Sequence, residues 1–185
     1  MQTQKTLLIT VLAASFGGLT GVAFADVQCP PNPGATSIDD NVLVTGRCTL
    51  NGTKVKGNVL VKSGGALTVR DASIDGNIQA DGGLFVRVIR TDVSGDIQLE
   101  GVSGNLSGVQ RSSIGGNIQL DNNSAKLLVD YNTIDGDLQA FSNTGGVVIR
   151  YNTIDGNLQC KSNQPAPVGG NNQVAGNKED QCANL

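Results

Sequence analysis

YNTIDGDLQA at residues 131–140 and YNTIDGNLQC at residues 151–160 differ at only two of their ten positions. They belong to a longer series in which an aliphatic residue, any residue, glycine, and asparagine or aspartate recur every 19 to 21 positions. The aliphatic members of the series are Val55, Ile74, Val93, Ile114, Ile134, Ile154 and Val174. A recurrence at a near-constant spacing of about 20 residues predicts a solenoid in which each copy forms one coil.

The residues around each glycine alternate between apolar and polar side chains, which is typical of a strand with one buried face. In the copy at 131–140, Leu138 and Ala140 are apolar and the intervening Gln139 is polar. The period of two argues against helices, and Gly-Asn or Gly-Asp predicts a turn because these residues accept a positive φ at low cost. The pattern therefore predicts an all-β right-handed parallel β-helix of about seven coils of about 20 residues, over residues 51–176.

The N-terminus has the three parts of a secretory signal peptide. Lys5 supplies a positive charge, residues 7–23 are mostly apolar or small, and Ala23-Phe24-Ala25 is an A-x-A cleavage site. Glycines interrupt the apolar run and make it a poor membrane span. We expect residues 1–25 to be removed, which leaves a single domain at residues 26–185; a retained anchor is the alternative.

Charge and composition exclude several classes of function. The formal net charge is −3 and no basic run occurs, which argues against a nucleic-acid partner. No second long apolar segment follows the N-terminus, so no membrane span is expected after cleavage. The chain has no histidine, which excludes His-based catalytic triads and histidine metal sites.

Four cysteines in a secreted chain predict two disulfides. Cys48 falls in the first coils and Cys160 in the last complete one, more than about 20 Å apart along a stack that rises ~4.8 Å per coil. A disulfide requires Cα atoms within about 7 Å, so Cys29–Cys48 and Cys160–Cys182 remain as the pairs. Metal binding is the alternative, but no C-x-x-C pattern supports it.

Both ends of the predicted rod contain residues that oppose further strand pairing. Residues 26–50, the predicted N-terminal cap, include CPPNPG, and its prolines cannot donate ladder hydrogen bonds. Residues 177–185 are the predicted C-terminal cap, where Lys178 enters the aliphatic column and Glu179-Asp180 follow. These ends argue against end-to-end filaments and predict a monomer.

Coil length, a column of asparagines and the YNTIDGNLQ-like units resemble the pectate-lyase-like superfamily of right-handed parallel β-helices over residues 41–176. The asparagines are Asn132, Asn152 and Asn172, which form either an inward ladder or exposed turns. The chain also resembles bactofilins, polymer-forming bacterial β-solenoids with recurring G-[ND]-[IV] units. Bactofilins are cytoplasmic and lack a signal peptide, and this chain departs from them in that respect.

Three aspartates are the candidate metal ligands. Asp135 and Asp155 occupy one column, one coil apart, with Asp137 nearby. Stacked carboxylates repel each other, and a bound Ca²⁺ would relieve that repulsion. The alternative is that they are solvated turn residues, selected because Asp-Gly forms turns well.

Arg150 and the two tyrosines are the candidate ligand-binding residues. A column at spacings of twenty is predicted to contain Arg70, Arg90, Gln110, Asp130 and Arg150. Pectate lyases use Asp-bound calcium and an arginine base, so the resemblance implies that role for Arg150 beside Asp130; an ion pair between coils is the alternative.

Tyr131 and Tyr151, one coil apart, would form either a platform for a sugar or a simple packing pair. A glutamine column from Gln79 to Gln159 would form a ladder or bind a polysaccharide. Together these features predict a secreted or periplasmic, non-catalytic β-solenoid with a structural or carbohydrate-binding role, facing a polysaccharide or the cell envelope. A small calcium-dependent polysaccharide lyase or glycoside hydrolase is the alternative.

Overall fold

The computed structural model describes residues 26–185 and shows an all-β parallel solenoid of about seven coils, as predicted. The predicted signal peptide at residues 1–25 lies outside the described residues. Within residues 26–185 there is no helix long and apolar enough to cross a membrane. Three parallel sheets run along the rod.

Each sheet takes one strand from each successive coil. Sheet A contains β1 (Val27–Cys29), β3 (Val42–Val44), β6 (Val59–Val61), β9 (Ile78–Asp81), β12 (Ile97–Glu100), β15 (Ile118–Asp121), β18 (Leu138–Phe141), β21 (Leu158–Lys161) and β24 (Lys178–Asp180). Sheet B contains β2 (Ser37–Ile38), β5 (Lys54–Val55), β8 (Ser73–Ile74), β11 (Asp92–Val93), β14 (Ser113–Ile114), β17 (Thr133–Ile134), β20 (Thr153–Ile154) and β23 (Gln173–Val174). Sheet C contains β4 (Arg47–Asn51), β7 (Ala66–Arg70), β10 (Phe85–Ile89), β13 (Ser107–Gln110), β16 (Leu127–Asp130), β19 (Val147–Arg150) and β22 (Val168–Gly170).

Each complete coil runs from sheet B to sheet A and then to sheet C, with a corner between successive sheets. We name the corners B–A, A–C and C–B after the strands they connect. Equivalent residues of successive coils pair in register, for example Ile134 with Ile154 and Gln139 with Gln159. Strand pairing extends from Val27 to Asp180, and so reaches into both segments predicted as caps.

Aliphatic columns fill the narrow interior of the rod. Ile134, Leu138, Ala140, Val147 and Ile149, which represent one coil, are all buried. The predicted inward columns are therefore confirmed. Because the interior is narrow, Val, Ile, Leu and Ala fill it without large aromatic side chains.

The glycines of the repeat lie at the B–A corner, and the reason predicted for them was wrong. None of them has a positive φ. They are required because coils approach closely: a Cβ at Gly136 would lie 2.8 Å from the Gly116 carbonyl oxygen. The following residue joins the coils, since Asn117 Oδ1 accepts a hydrogen bond from the Asp137 amide at 2.8 Å.

Asparagine ladders close the other two corners. At the C–B corner Asn132, Asn152 and Asn172 are buried, which confirms the inward ladder. Asn152 Oδ1 accepts the Asn132 amide at 3.0 Å, and Asn152 Nδ2 donates to the Val129 carbonyl at 3.0 Å. Since these amides satisfy backbone groups that the turning chain leaves unpaired, they stabilise each corner.

A second ladder, at the A–C corner, was not predicted. Asn123, Asn143 and Asn163 are buried there and form the same pattern of hydrogen bonds. Each follows a residue with positive φ, such as Ser142 before Asn143. Between residues 26 and 185 no buried side-chain nitrogen or oxygen lacks a partner, so both ladders are fully satisfied.

Both predicted disulfides are confirmed. Cys29 and Cys48 are joined near the N-terminal end, with Cα atoms 5.5 Å apart. Cys160 and Cys182 are joined near the C-terminal end, at 5.2 Å. Each closes a loop of about 20 residues, which is worth about 3 kcal/mol in the chain-entropy model.

Side chains also satisfy backbone groups at the two ends. Asn32 Oδ1 accepts the amide of Thr49 in β4, the first strand of sheet C, at 2.8 Å. At the other end Gln181 Oε1 takes the place of an asparagine and accepts the Asn163 amide at 2.8 Å. Since edge strands attract further strands, these contacts protect the ends of the rod.

Replacing the buried Ile134 by aspartate should destabilise the rod by on the order of 4 kcal/mol or more, because a charge is buried without a partner. Thr133→Asp, at the exposed neighbouring position, should change stability by less than about 0.5 kcal/mol. Urea unfolding of both variants checks this. Equal unfolding midpoints would contradict the inward assignment of Ile134.

Gly136→Ala should cost about 1–3 kcal/mol, because the added methyl group forces the B–A corners of two coils apart. Asp135→Ala, one residue earlier and exposed, is the matched control and should be close to neutral. Thermal unfolding of the two variants measures the difference. A Gly136→Ala protein as stable as its control would show that close approach is not the reason for glycine.

Candidate functional site

A row of exposed side chains follows the C–B corner along the rod. We call it the corner stripe; it consists of Asp71, Arg90, Arg111, Tyr131 and Tyr151. Each has a φ between 48 and 56°, the left-handed region that bulky residues rarely adopt. The residue that follows each of them is buried. The stripe side chains therefore point outward, and neighbouring members lie one coil apart.

Tyr131 and Tyr151 form the aromatic part of the stripe. Their rings are stacked with centroids 4.8 Å apart and planes 13° from parallel. They remain 51% and 44% exposed. The Arg111 guanidinium lies 6.0 Å from the Tyr131 ring centroid, on the side of the preceding coil. One face of Tyr131 therefore packs on Tyr151, and a ligand would reach the exposed parts of the two rings and their hydroxyl groups.

Beside the tyrosines, a buried carboxylate is held between two coils. Asp130, the last residue of β16, is only 5% exposed. It accepts a hydrogen bond from Gln110 Nε2 at 2.9 Å and pairs with Arg150 Nη2 at 3.3 Å. Burial of a carboxylate is costly unless charge and hydrogen bonds compensate it. The alternative of an ion pair between coils is thus the arrangement present.

The predicted arginine column requires one correction. Arg70 pairs in register with Ile89, not with Arg90, because that coil is one residue shorter than the assumed twenty. Arg90 belongs to the corner stripe, where its Nε and Nη2 donate to the two Asp71 oxygens at 2.7 and 2.8 Å. The hydrogen bonds from Arg90 hold the pKa of Asp71 below its usual value and raise that of Arg90.

The candidate calcium ligands lie at another corner. Asp135 and Asp155 are exposed at the B–A corner, one coil apart. Asp137 contributes to the hydrogen bonds between coils, since its Oδ1 accepts the Asn157 amide at 2.6 Å. In the part of the chain that the structure describes, no group of three or more acidic or cysteine residues is arranged to hold a metal. Calcium binding stays a prediction.

Arg150 does not join these aspartates. It ends β19 in sheet C, whereas Asp155 follows β20 in sheet B, and the C–B corner separates them. Within residues 26–185 Arg150 forms one ion pair, with Asp130. Arg150 therefore lies at the start of the C–B corner, directly before Tyr151, and it does not come together with Asp135 or Asp155.

The glutamine column forms a ladder on the outside of sheet A. Gln139 Nε2 donates to Gln159 Oε1 at 2.8 Å, and Gln159 Nε2 donates to Glu179 Oε2 at 2.8 Å. Beside this ladder, Asp81, Glu100 and Asp121 pair in register on successive coils. Partial burial raises the pKa of Asp121. Most glutamine amides thus bond to one another, which matches the ladder alternative.

Arg150→Gln should lower stability by about 1 kcal/mol, because among the described residues Gln110 would be the one side-chain partner left to the Asp130 carboxylate. Adding Asp130→Asn should recover most of that loss, because a neutral amide needs no counter-charge. Urea unfolding of the two single variants and the double variant gives the coupling. If the two substitutions changed the free energy of unfolding in a strictly additive way, the interaction between Arg150 and Asp130 would be contradicted.

Comparison of the chain with protein-family models, with curated proteins and with solved structures gives no match. What the structure shows of the resemblance to β-helix families is the parallel solenoid fold alone.

Proposed function

We propose that this protein is a secreted, non-catalytic β-solenoid that binds carbohydrate at the C–B corner, through Tyr131, Tyr151 and Arg150. The observation that carries the proposal is the exposed tyrosine stack beside an arginine whose position is set by an ion pair. Tyrosine combines an apolar ring with a polar tip, which suits contact with sugars, whose surfaces are also part apolar and part hydroxyl.

The backbone of the stripe supports a binding role for the tyrosines. Both have φ 56°, a conformation that is costly for a bulky residue and that glycine or asparagine would adopt more easily. The next coil carries Asn171 at the same position. Two large rings at strained, exposed positions are better explained by a ligand than by stability alone.

The location outside the cytoplasm is supported by the two disulfides, which are typical of extracellular and periplasmic proteins. Removal of residues 1–25 as a signal peptide belongs to the same proposal. We also propose that the chain belongs to the pectate-lyase-like superfamily, which the parallel coils and the asparagine ladders support. The lyase alternative has no comparable support, because Arg150 and the aspartates lie at different corners.

The test is binding of the purified mature chain to a panel of neutral and acidic polysaccharides, by glycan array and calorimetry. Tyr131→Ala with Tyr151→Ala should weaken binding by about tenfold, as expected for losing two aromatic contacts. Phe141→Ala is the matched control, since Phe141 is a half-buried aromatic at the end of β18 in sheet A. Its binding should equal that of the wild type.

Two outcomes would overturn the proposal. One is that no polysaccharide binds; the other is that the double tyrosine variant binds as well as the Phe141→Ala control. Assays for release of unsaturated uronates and reducing ends, with and without calcium, should stay at background. Product release above background would favour the enzymatic alternative.

A further inference from the structure

Arginine is confined to one side of the rod. All six arginines lie either on a strand of sheet C or at the corner position directly after one. They are Arg47, Arg70, Arg87, Arg90, Arg111 and Arg150. We call this surface, sheet C together with the corner stripe, the arginine face. The pairing register places Arg47, Arg70, Arg87 and Arg111 on four successive coils. Arg90 lies on the same coil as Arg87, and Arg150 lies two coils beyond Arg111, so the charges extend along the rod.

Few carboxylates offset this charge locally. Of the 16 acidic residues in the chain, only Asp71 and Asp130 lie on the arginine face. Each is already paired with an arginine of that face, Asp71 with Arg90 and Asp130 with Arg150. Among residues 26–185, the other four arginines form no ion pair. An acidic protein thus has one distinctly basic face.

One aromatic ring on this face, that of Phe85, has two arginines beside it. The guanidinium groups of Arg47 and Arg87 lie 5.5 and 5.4 Å from the Phe85 ring centroid. Arg87 Nε also donates to the Leu106 carbonyl at 2.9 Å, which fixes its direction. Cation–π attraction draws both guanidinium groups to the same ring. Such preorganised arginines present planar donor pairs to carboxylate or sulfate groups.

We propose that the arginine face binds an anionic polysaccharide, a chain whose sugars carry carboxylate or sulfate groups. This inference rests on the proposed carbohydrate-binding function and specifies the class of ligand. Arg47, Arg70, Arg87 and Arg111 contact the anionic groups, while the tyrosine stack at the adjoining corner contacts the sugar rings. The basic face is about one sheet wide and several coils long. This shape matches an extended polymer lying along the rod.

The disulfides favour a polysaccharide over a nucleic acid. They are typical of proteins outside the cytoplasm, where acidic glycans are abundant polyanions. The remaining surface is acidic and would repel a polyanion, so a ligand is directed to one face. Nucleic acid and anionic lipid bilayers are therefore separate outcomes of the test.

The experiment measures affinity of the mature protein for polygalacturonate and for a neutral galactan, with single-stranded DNA and phosphatidylglycerol vesicles as further probes. Arg47→Gln, Arg70→Gln and Arg87→Gln are combined in one variant. Lys54→Gln, Lys56→Gln and Lys62→Gln form the matched control, because these exposed lysines lie off the arginine face and the same charge is removed. Thermal unfolding verifies that both variants are folded.

We expect polygalacturonate to bind more tightly than the galactan, with an affinity that falls as salt is raised to about 0.15 M and beyond. The arginine variant should lose affinity for polygalacturonate by on the order of tenfold or more, and the lysine variant by much less. Galactan binding should be nearly unchanged in both.

Several results would overturn the inference. Equal loss in the two variants would show that net charge, and not this face, attracts the ligand. Equal affinity for both polysaccharides would refute the anionic class while leaving carbohydrate binding in place, whereas no binding to either would also refute the proposed function. Tighter, arginine-dependent binding to DNA or to vesicles would assign the face to that ligand instead.

Discussion

Hydrogen bonding between successive coils is the constraint on which this structure depends. Each coil is too small to bury its own apolar side chains, and it does so only when it stacks in register on its neighbours. Strands satisfy their backbone groups by parallel pairing, but corners leave donors and acceptors that strands cannot reach. Asn123 and Asn132 begin the two ladders that solve this problem at the A–C and C–B corners. At the B–A corner the glycines let the coils approach closely, and the Asn or Asp that follows accepts an amide of the neighbouring coil, as Asn117 does from Asp137.

The same register that builds the core also arranges the surface. A residue type repeated at one position becomes a row along the rod, whether it is the glutamine ladder of sheet A or the aromatic and charged side chains of the corner stripe. The corner stripe differs from a ladder because its members change along the rod, from the Asp71–Arg90 pair to the stacked tyrosines. The backbone of the corner stripe repeats from coil to coil while its side chains vary. The corner stripe is therefore the surface to which we assign the proposed binding function.

The periodicity alone was sufficient to identify the buried columns, the inward direction of Ile134 and the disulfide pairs, because all of them follow from stacking equivalent positions. It failed where coil length varies. Arg90 was assigned to the column of Arg70, yet a coil of 19 residues moves it to the corner beside Asp71. The ladder through Asn143 was missed since its surroundings differ from coil to coil, although Ser-Asn recurs at 142–143 and 162–163.

The amino-acid sequence by itself determined the solenoid, its period, its inward columns and its cysteine pairing, because each is a repeated, local pattern that survives small errors in alignment. Only the tertiary structure decided which side chains each outward-facing residue contacts. Asp130 is a buried carboxylate held by Gln110 and Arg150, and Tyr131 is stacked on Tyr151. Both states depend on side chains of neighbouring coils. The collection of every arginine on one face arises in the same way: the chain spaces them irregularly, and the folding of coils into three sheets brings them together.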